Sequence, residues 1–339
     1  MKKYLLGLLS ILLVTFLLPS CSKDFDSNAP YADVTIVYGI LNADESTNYI
    51  KIYRGFLTED DAYQAATIYD SLYYFDKIKV ELEEYVGNQL TNSWELDTTT
   101  QIPREDGDFT TKQLLYVVPQ SINESATYKL VITNKETGRV VKATTNIVGR
   151  FEVDQHMAHL LNTTTSTRTP FKFTLPDNGA SYQVYQVFHY IERSKSTGIE
   201  VRKSFRRQLI SGNLTSNENV QYVPSTLYDA IASNVEEDPF VDRYITVDSC
   251  IQFEVWAANE PMKNYVIANS TTGSVVTDRL SYTNVECEDG HTAGVLGSRR
   301  YATSWHGMKP EAQAELKSGS ITGHLGFHTA AEYLQLHGY

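Results

Sequence analysis

The sequence predicts a mainly β protein: an antiparallel sandwich followed by a second β-rich domain with a few short helices. Three observations predict it. The 339 residues include 23 Tyr and only 4 Met, with Thr and Val frequent, a composition suited to pleated, half-buried strands. Short segments alternate apolar and polar residues with period two. Turn-forming Gly and Asn separate those segments at close intervals, as in all-β domains.

The elements follow in order. Val34, Ile36, Tyr38 and Ile40 alternate with Thr35, Val37 and Gly39 to give a first strand. A second lies at 49–54, where Ile50 and Ile52 alternate with Lys51 and Tyr53. A helical stretch is expected at 59–66. The clearest half-buried strand sets Ile78, Val80 and Leu82 against Lys79, Glu81 and Glu83. Gly87-Asn88 turns the chain into a strand at 90–96, and others are expected at 112–118 and 128–133. Asn134 to Gly138 is a turn into a last strand at 139–148. About seven strands with turns between them, within residues 33–148, is the pattern of an immunoglobulin-like sandwich.

Gly149 is the expected boundary, leaving 149–339 as the second domain. Strands are expected there at 170–175, 182–193 and 198–210, the last two forming a hairpin. Residues 182–191 are apolar on both faces, as in a central strand. A helix at 227–235 has Ser225 or Thr226 as its cap. Strand character returns at 244–257 and 294–303, with helices at 261–268 and 310–317.

Residues 1–20 read as an export signal. Met1, Lys2 and Lys3 form a basic start, and the apolar run to Leu18 is too short to cross a bilayer. Leu18-Pro19-Ser20-Cys21 resembles the lipobox of bacterial lipoproteins. That resemblance implies cleavage before Cys21 and acylation of its thiol and new amine, and several chains on one residue anchor stably. Residues 21–32 are then a polar tether. Ser22-Lys23-Asp24-Phe25-Asp26 resembles the Lys-plus-acidic signal that sends Bacteroidetes-type lipoproteins to the outer face of the outer membrane, with Phe25 displacing the second acid. An ordinary secretory signal is the alternative. The formal charge of −12 argues against nucleic acid or anionic lipid as the main partner. No cofactor is expected beyond covalent lipid on Cys21.

Outside the cytoplasm, Cys250 and Cys287 are an even pair and a disulfide candidate, two reduced thiols being the alternative. His324, His328 and Glu332 would share a face on one continuous helix and could hold Zn²⁺, but Gly323 and Gly326 disrupt it. His156 and His159 are three apart. There is no Gly-x-Ser-x-Gly elbow, no His-Glu-x-x-His motif and no protease-like cysteine context. Glu83-Glu84, Asp60-Asp61 and Glu236-Glu237-Asp238 read as solvated charges, and Arg104 to Asp108 as a surface turn rather than a calcium loop. The basic cluster Arg193, Lys195, Arg202, Lys203, Arg206 and Arg207 falls on the predicted hairpin, where exposed charges are routine. Aromatic residues are the best material for a binding face. Tyr73, Tyr74 and Trp305 are expected to be reachable, and Trp256, in an apolar strand, to be core.

Several segments resemble Bacteroidetes-type surface lipoproteins of unknown function. They include residues 37–42 (Val-Tyr-Gly-Ile-Leu-Asn), 49–52 (Tyr-Ile-Lys-Ile), 70–74 (Asp-Ser-Leu-Tyr-Tyr) and 80–84 (Val-Glu-Leu-Glu-Glu). Distal segments are 253–258 (Phe-Glu-Val-Trp-Ala-Ala), 282–285 (Tyr-Thr-Asn-Val) and 297–299 (Gly-Ser-Arg). The chain departs from that pattern by inserting residues 286–291. The resemblance implies an immunoglobulin-like first domain and a β-rich second one. Such proteins are often associated with TonB-dependent outer-membrane transporters. The expected role is a noncatalytic surface lipoprotein, an accessory or binding component of an outer-membrane uptake system, its partners the membrane, a transporter of that class, or an extracellular glycan or peptide. A fimbrial subunit or adhesin and a surface hydrolase are the alternatives. Against the fimbrial route, the tether has no arginine at which proteolysis would free an edge strand.

Overall fold

The structure, a computed structural model, describes residues 34–55, 68–104, 112–118, 121–153, 158–210, 214–218, 220–270 and 282–338. The signal, Cys21, the tether and the helical stretch expected at 59–66 lie outside the described residues. The chain is mainly β. The first strands are β1 (Thr35–Leu41), β2 (Asn48–Arg54), β3 (Ile78–Val86), β4 (Gln89–Glu95), β5 (Thr98–Thr99), β6 (Leu115–Val118), β7 (Thr127–Asn134) and β8 (Val140–Asn146). Next come β9 (Leu160–Leu161), β10 (Thr169–Pro170), β11 (Ser181–Ser194), β12 (Glu200–Gln208), β13 (Gln221–Tyr222) and β14 (Val241–Tyr244). The last are β15 (Ile251–Ala258), β16 (Val285–Glu286), β17 (Thr292–Met308) and β18 (Phe327–His328). The helices are α1 (Tyr69–Leu72), α2 (Thr226–Asn234), α3 (Glu260–Ser270), α4 (Pro310–Ser318) and α5 (Ala330–Leu336). Among the described residues no helix is long and apolar enough to cross a membrane.

The first half is a sandwich. One sheet runs β16-β8-β7-β3-β4, and β1, β2, β6 and β5 belong to a larger sheet ordered β18-β14-β11-β15-β17-β1-β2-β6-β5. Val37, Leu41, Ile50 and Ile52 from the larger sheet meet Val80, Leu82, Leu130 and Ile132 from the other in one buried core. In β3 the predicted alternation holds: Ile78, Val80 and Leu82 face in, while Lys79 reaches Glu81 at 2.7 Å outside. Gly87 takes the left-handed conformation (φ 60°) that its turn requires. Near the start of β7, Tyr128 Oη accepts from the Asn123 amide at 2.8 Å, the corner that locks immunoglobulin-like sandwiches. The same hydroxyl donates to Glu84 at 2.5 Å. Glu84 was expected to be solvated; it is buried instead, on the parity of Leu82, and also accepts from Thr91 and Asn92 at 2.8 Å each. Burial raises its pKa, but these donors outweigh burial and hold it below the usual carboxylate value.

The two-residue pairs β14–β18 and β17–β9 are parallel, and so, over a longer stretch, is the pairing of β1 with β17. Gly294 (φ 94°) permits it, since a Cβ there would stand 1.9 Å from the Val37 carbonyl oxygen. The inward set of β1 is Thr35, Val37, Gly39 and Leu41, which leaves Tyr38 and Ile40 exposed.

The second half is built on β11, flanked by β12 on one edge and by β15 and β14 on the other. Its inner face packs Phe188 and Phe253 against Leu227 and Ile231 of α2 and Leu316 of α4. The strand expected at 170–175 is reduced to the short β10 and a single bridge from Phe173 to Val153. The strand expected at 244–257 is two strands, β14 and β15. At the head of α2, Ser225 occupies the cap position without a side-chain cap bond, and Thr226 donates to the Val223 carbonyl.

The two cores divide near residue 148, yet the chain returns across that division. Val285 of β16 and Leu296 of β17 complete the first core, so residues 149–339 are not self-contained. The junction is pinned by buried polar groups rather than left as a linker. Asn259 donates to Thr145 and to the Asn146 carbonyl, each at 2.8 Å, and accepts from the Ser298 amide at 3.1 Å. Arg300, buried, forms ion pairs with Asp44 and Glu124.

Candidate ligand-binding face

Strand parity sorts the second half of the large sheet into two faces. In β15, Ile251, Phe253, Val255 and Ala257 enter the core, so Gln252, Glu254, Trp256 and Ala258 face outward. In the antiparallel register Trp256 lies opposite Tyr301, and Gln252 opposite Trp305, which puts these side chains on the same outer face. Trp256 and Tyr301 stack with centroids 4.8 Å apart, and His189 of β11 lies 4.8 Å from Trp305. Tyr301 and Trp305 are 42% and 45% exposed. Four residue steps along the strand set them about 13 Å apart.

Cations back the rings. The Arg206 guanidinium stands 3.4 Å from the Tyr185 ring centroid and 5.7 Å from that of Trp256, and Arg299 stands 5.0 Å from Trp256. Glu254 fixes the arrangement by accepting from Arg206 at 2.9 Å and from the Trp256 indole at 3.2 Å. His189 is hydrogen-bonded to Gln252 at 3.0 Å, which orients the ring beside Trp305. A cavity of about 190 Å³ opens beside Trp305, lined also by His189, Arg202, Thr246 and Ser249. Rigid ring faces with hydroxyl and guanidinium donors at their rims can stack on and hydrogen-bond a sugar.

Of the aromatic residues expected to be reachable, the structure keeps only Trp305 at the surface. Tyr73 and Tyr74 are 2% and 4% exposed, a correction. Tyr73 packs on Tyr53 and Tyr69, and Tyr74 bonds the buried Thr35 hydroxyl at 3.0 Å. Trp256 is corrected in the opposite sense: it is half-buried on the outer face and not in the core. Trp94 packs partly buried against the first core. Tyr185, His189, Tyr301 and Arg299 were missed from sequence.

Cys250 and Cys287 are both free, which corrects the disulfide. They belong to different cores, Cys250 inside the second and Cys287 at the edge of the first. Burial pushes the Cys250 thiol up to about 12, so it is a packing residue and no nucleophile. Asp289, in the inserted segment, receives Arg139 at 2.7 Å, and this guanidinium holds its carboxyl far below the usual range.

His324, His328 and Glu332 share no helix. His324 sits in a 3₁₀ turn, Gly326 takes φ 71°, and Glu332 caps α5 by accepting from the Thr329 amide at 2.8 Å. His156 lies outside the described residues, and His159 pairs with Asp248 at 2.9 Å. Among the described residues no three groups are placed to hold a metal. Most of the basic cluster is paired: Arg193 with Glu200, Lys195 with Asp242, Lys203 with Glu192 and Arg206 with Glu254. Arg207 bonds Gln186 and the Thr226 carbonyl. These are local surface contacts and not a basic patch.

Comparison with known proteins finds no family model that matches the chain and no curated protein similar to it.

Proposed function

We propose that the chain is a noncatalytic lipoprotein, anchored through Cys21 at the outer face of an outer membrane, which captures extracellular glycan for an uptake system and works beside a transporter of the TonB-dependent class. The observation that carries the binding role is the outer sheet face, where Trp305 and Tyr301 stand exposed on rings and guanidinium groups already held in place. A preformed aromatic surface spends little conformational entropy on binding. The anchor rests on the lipobox-like Leu18-Pro19-Ser20-Cys21, and the transporter association on the resemblance to surface lipoproteins.

The test has two arms. Cys21→Ala should release the mature chain from membranes or leave its signal uncleaved; a variant that is still processed and lipid-labelled refutes the anchor. For the face, the purified mature chain is screened against polysaccharides. Binding should fall at least about tenfold with Trp305→Ala, the loss of one stacking partner. Binding that survives Trp305→Ala and Tyr301→Ala together places the ligand elsewhere.

A further inference from the structure

β17 changes neighbours along its length. Residues 292–298 pair in parallel with β1, ending where Leu41 meets Ser298. Gly307 and Met308 pair in parallel with β9. Between them, residues 299–306 pair with β15 on one edge. Among the described residues no strand pairs with the other edge.

Parity shows which backbone groups face that gap. In an extended strand the N–H and C=O of one residue point to the same edge, and those of the next residue to the opposite edge. The Ser298 carbonyl accepts from the Asn259 amide at 3.0 Å on the β15 side, and the Gly307 amide donates to the His159 carbonyl at 2.9 Å on the other. Even-numbered residues therefore pair with β15, and Tyr301, Thr303 and Trp305 turn their amides and carbonyls toward the gap. A cavity of about 650 Å³ runs along this edge, with Phe151 and Val153 on its far wall.

We infer that this slot receives an extended peptide segment of a partner protein, added as a strand between the end of β1 and the start of β9. Alternating amide donors and carbonyl acceptors at backbone spacing match a peptide chain, and they are a template for strand addition. Charge narrows the partner further. The ionic groups that line the slot have partners in the chain, Arg300 in Asp44 and Glu124, His159 in Asp248, and Arg150 in Glu124 at 4.0 Å. The segment is therefore uncharged, with small side chains on the face shared with Ala302 and Ser304 and larger ones beside Tyr301 and Trp305. The inference is independent of the glycan face, because backbone groups carry it.

The test uses the full mature chain and a library of end-blocked, uncharged peptides about eight residues long, enough to span the gap. Backbone hydrogen exchange is read at single residues. In the free chain the amides of Tyr301, Thr303 and Trp305 should exchange at least about a hundredfold faster than those of Ala302 and Ser304, and a bound peptide should slow all three. Thr303→Pro deletes one edge amide without touching the β15 ladder, and should weaken peptide binding by about tenfold or more; Thr303→Ala keeps the amide and should bind as the parent does. Methylating alternate peptide nitrogens is the companion measurement: one alternate set should abolish binding and the other spare it. Three results would overturn the proposal: edge amides already protected in the free chain, no library member bound, or binding indifferent to the methylation pattern. Loss of peptide binding with glycan binding intact separates this slot from the glycan face.

Discussion

Two groups of four rings each meet opposite fates. Tyr53, Tyr69, Tyr73 and Phe75 pack ring on ring at centroid distances of 5.0 to 6.2 Å, with Tyr73 only 2% exposed. Trp256, Tyr301, His189 and Trp305 also pair closely, yet Trp305 is 45% exposed. The difference lies in what sits above each strand. The segment carrying α1 packs over β2, so its rings cover one another. The second group projects from consecutive strands of one regular sheet, whose packed face is the other one. Local aromatic density therefore says little about exposure; the strand face decides it.

The largest effect that separates the two groups is on stability. Tyr73→Ala should lower the free energy of unfolding by about 3–5 kcal/mol, the cost of removing a fully buried aromatic ring. Denaturant titration checks it, and a loss under about 1 kcal/mol would mean that the ring is covered only loosely. Tyr74→Phe is milder. It removes the buried bond to Thr35 and should cost about 1 kcal/mol. On the outer face the outcome should invert. Trp305→Ala should change stability by no more than about 0.5 kcal/mol while it weakens glycan binding. If Trp305→Ala destabilises as Tyr73→Ala does, the contrast between the groups disappears.

The physical range of each interaction sets how much was legible in the sequence. β3, β7 and β8 could be read because their alternation is local, and the Gly87 turn because its residue type is diagnostic. The parallel pairing of β1 with β17 could not, since it joins residues near 35 to residues near 292 and depends on a close approach at Gly294. The outer face was only partly legible. Trp305 stands out by residue type, but its partner His189 lies over a hundred residues away, and the apolar character of its strand points Trp256 to the core. A sharper reading of 251–258 was available, because Ile251, Phe253, Val255 and Ala257 already define one face and leave Trp256 on the other. The cysteines show the same limit. An even count suggests a bridge, but it does not tell that the two residues serve different cores. Thiol labelling checks this: Cys250 should react only after unfolding, because it is buried with its thiol pushed up to about 12.

The smallest effect concerns the β18 edge of the same sheet, and it tests whether that edge is coupled to the aromatic face. α5 is held there by Glu332, whose carboxylate accepts from Lys317 Nζ at 2.5 Å and from the Thr329 amide at 2.8 Å. His328 stands 3.8 Å away on the same carboxylate and also reaches Asp242 at 3.3 Å. The Lys317 bond, then the Thr329 amide, bring the Glu332 pKa from 4.5 down to about 2. A carboxyl depressed on folding contributes stability that is complete above its unfolded pKa and is lost as pH falls toward the folded one. The contribution should therefore fade between about pH 5 and 2, and because the side chain is 36% exposed it should amount to less than about 1 kcal/mol. Amide exchange across 330–336 should quicken over that window, and Glu332→Gln should flatten the dependence. The Trp305 indole resonance should stay fixed throughout, because α5 packs at the β18 edge of the sheet, with Tyr333 against Tyr244 of β14, and Trp305 lies on β17 with β11 and β15 between. A Trp305 shift that follows the loosening of α5 would show instead that the binding face feels the helix at its edge.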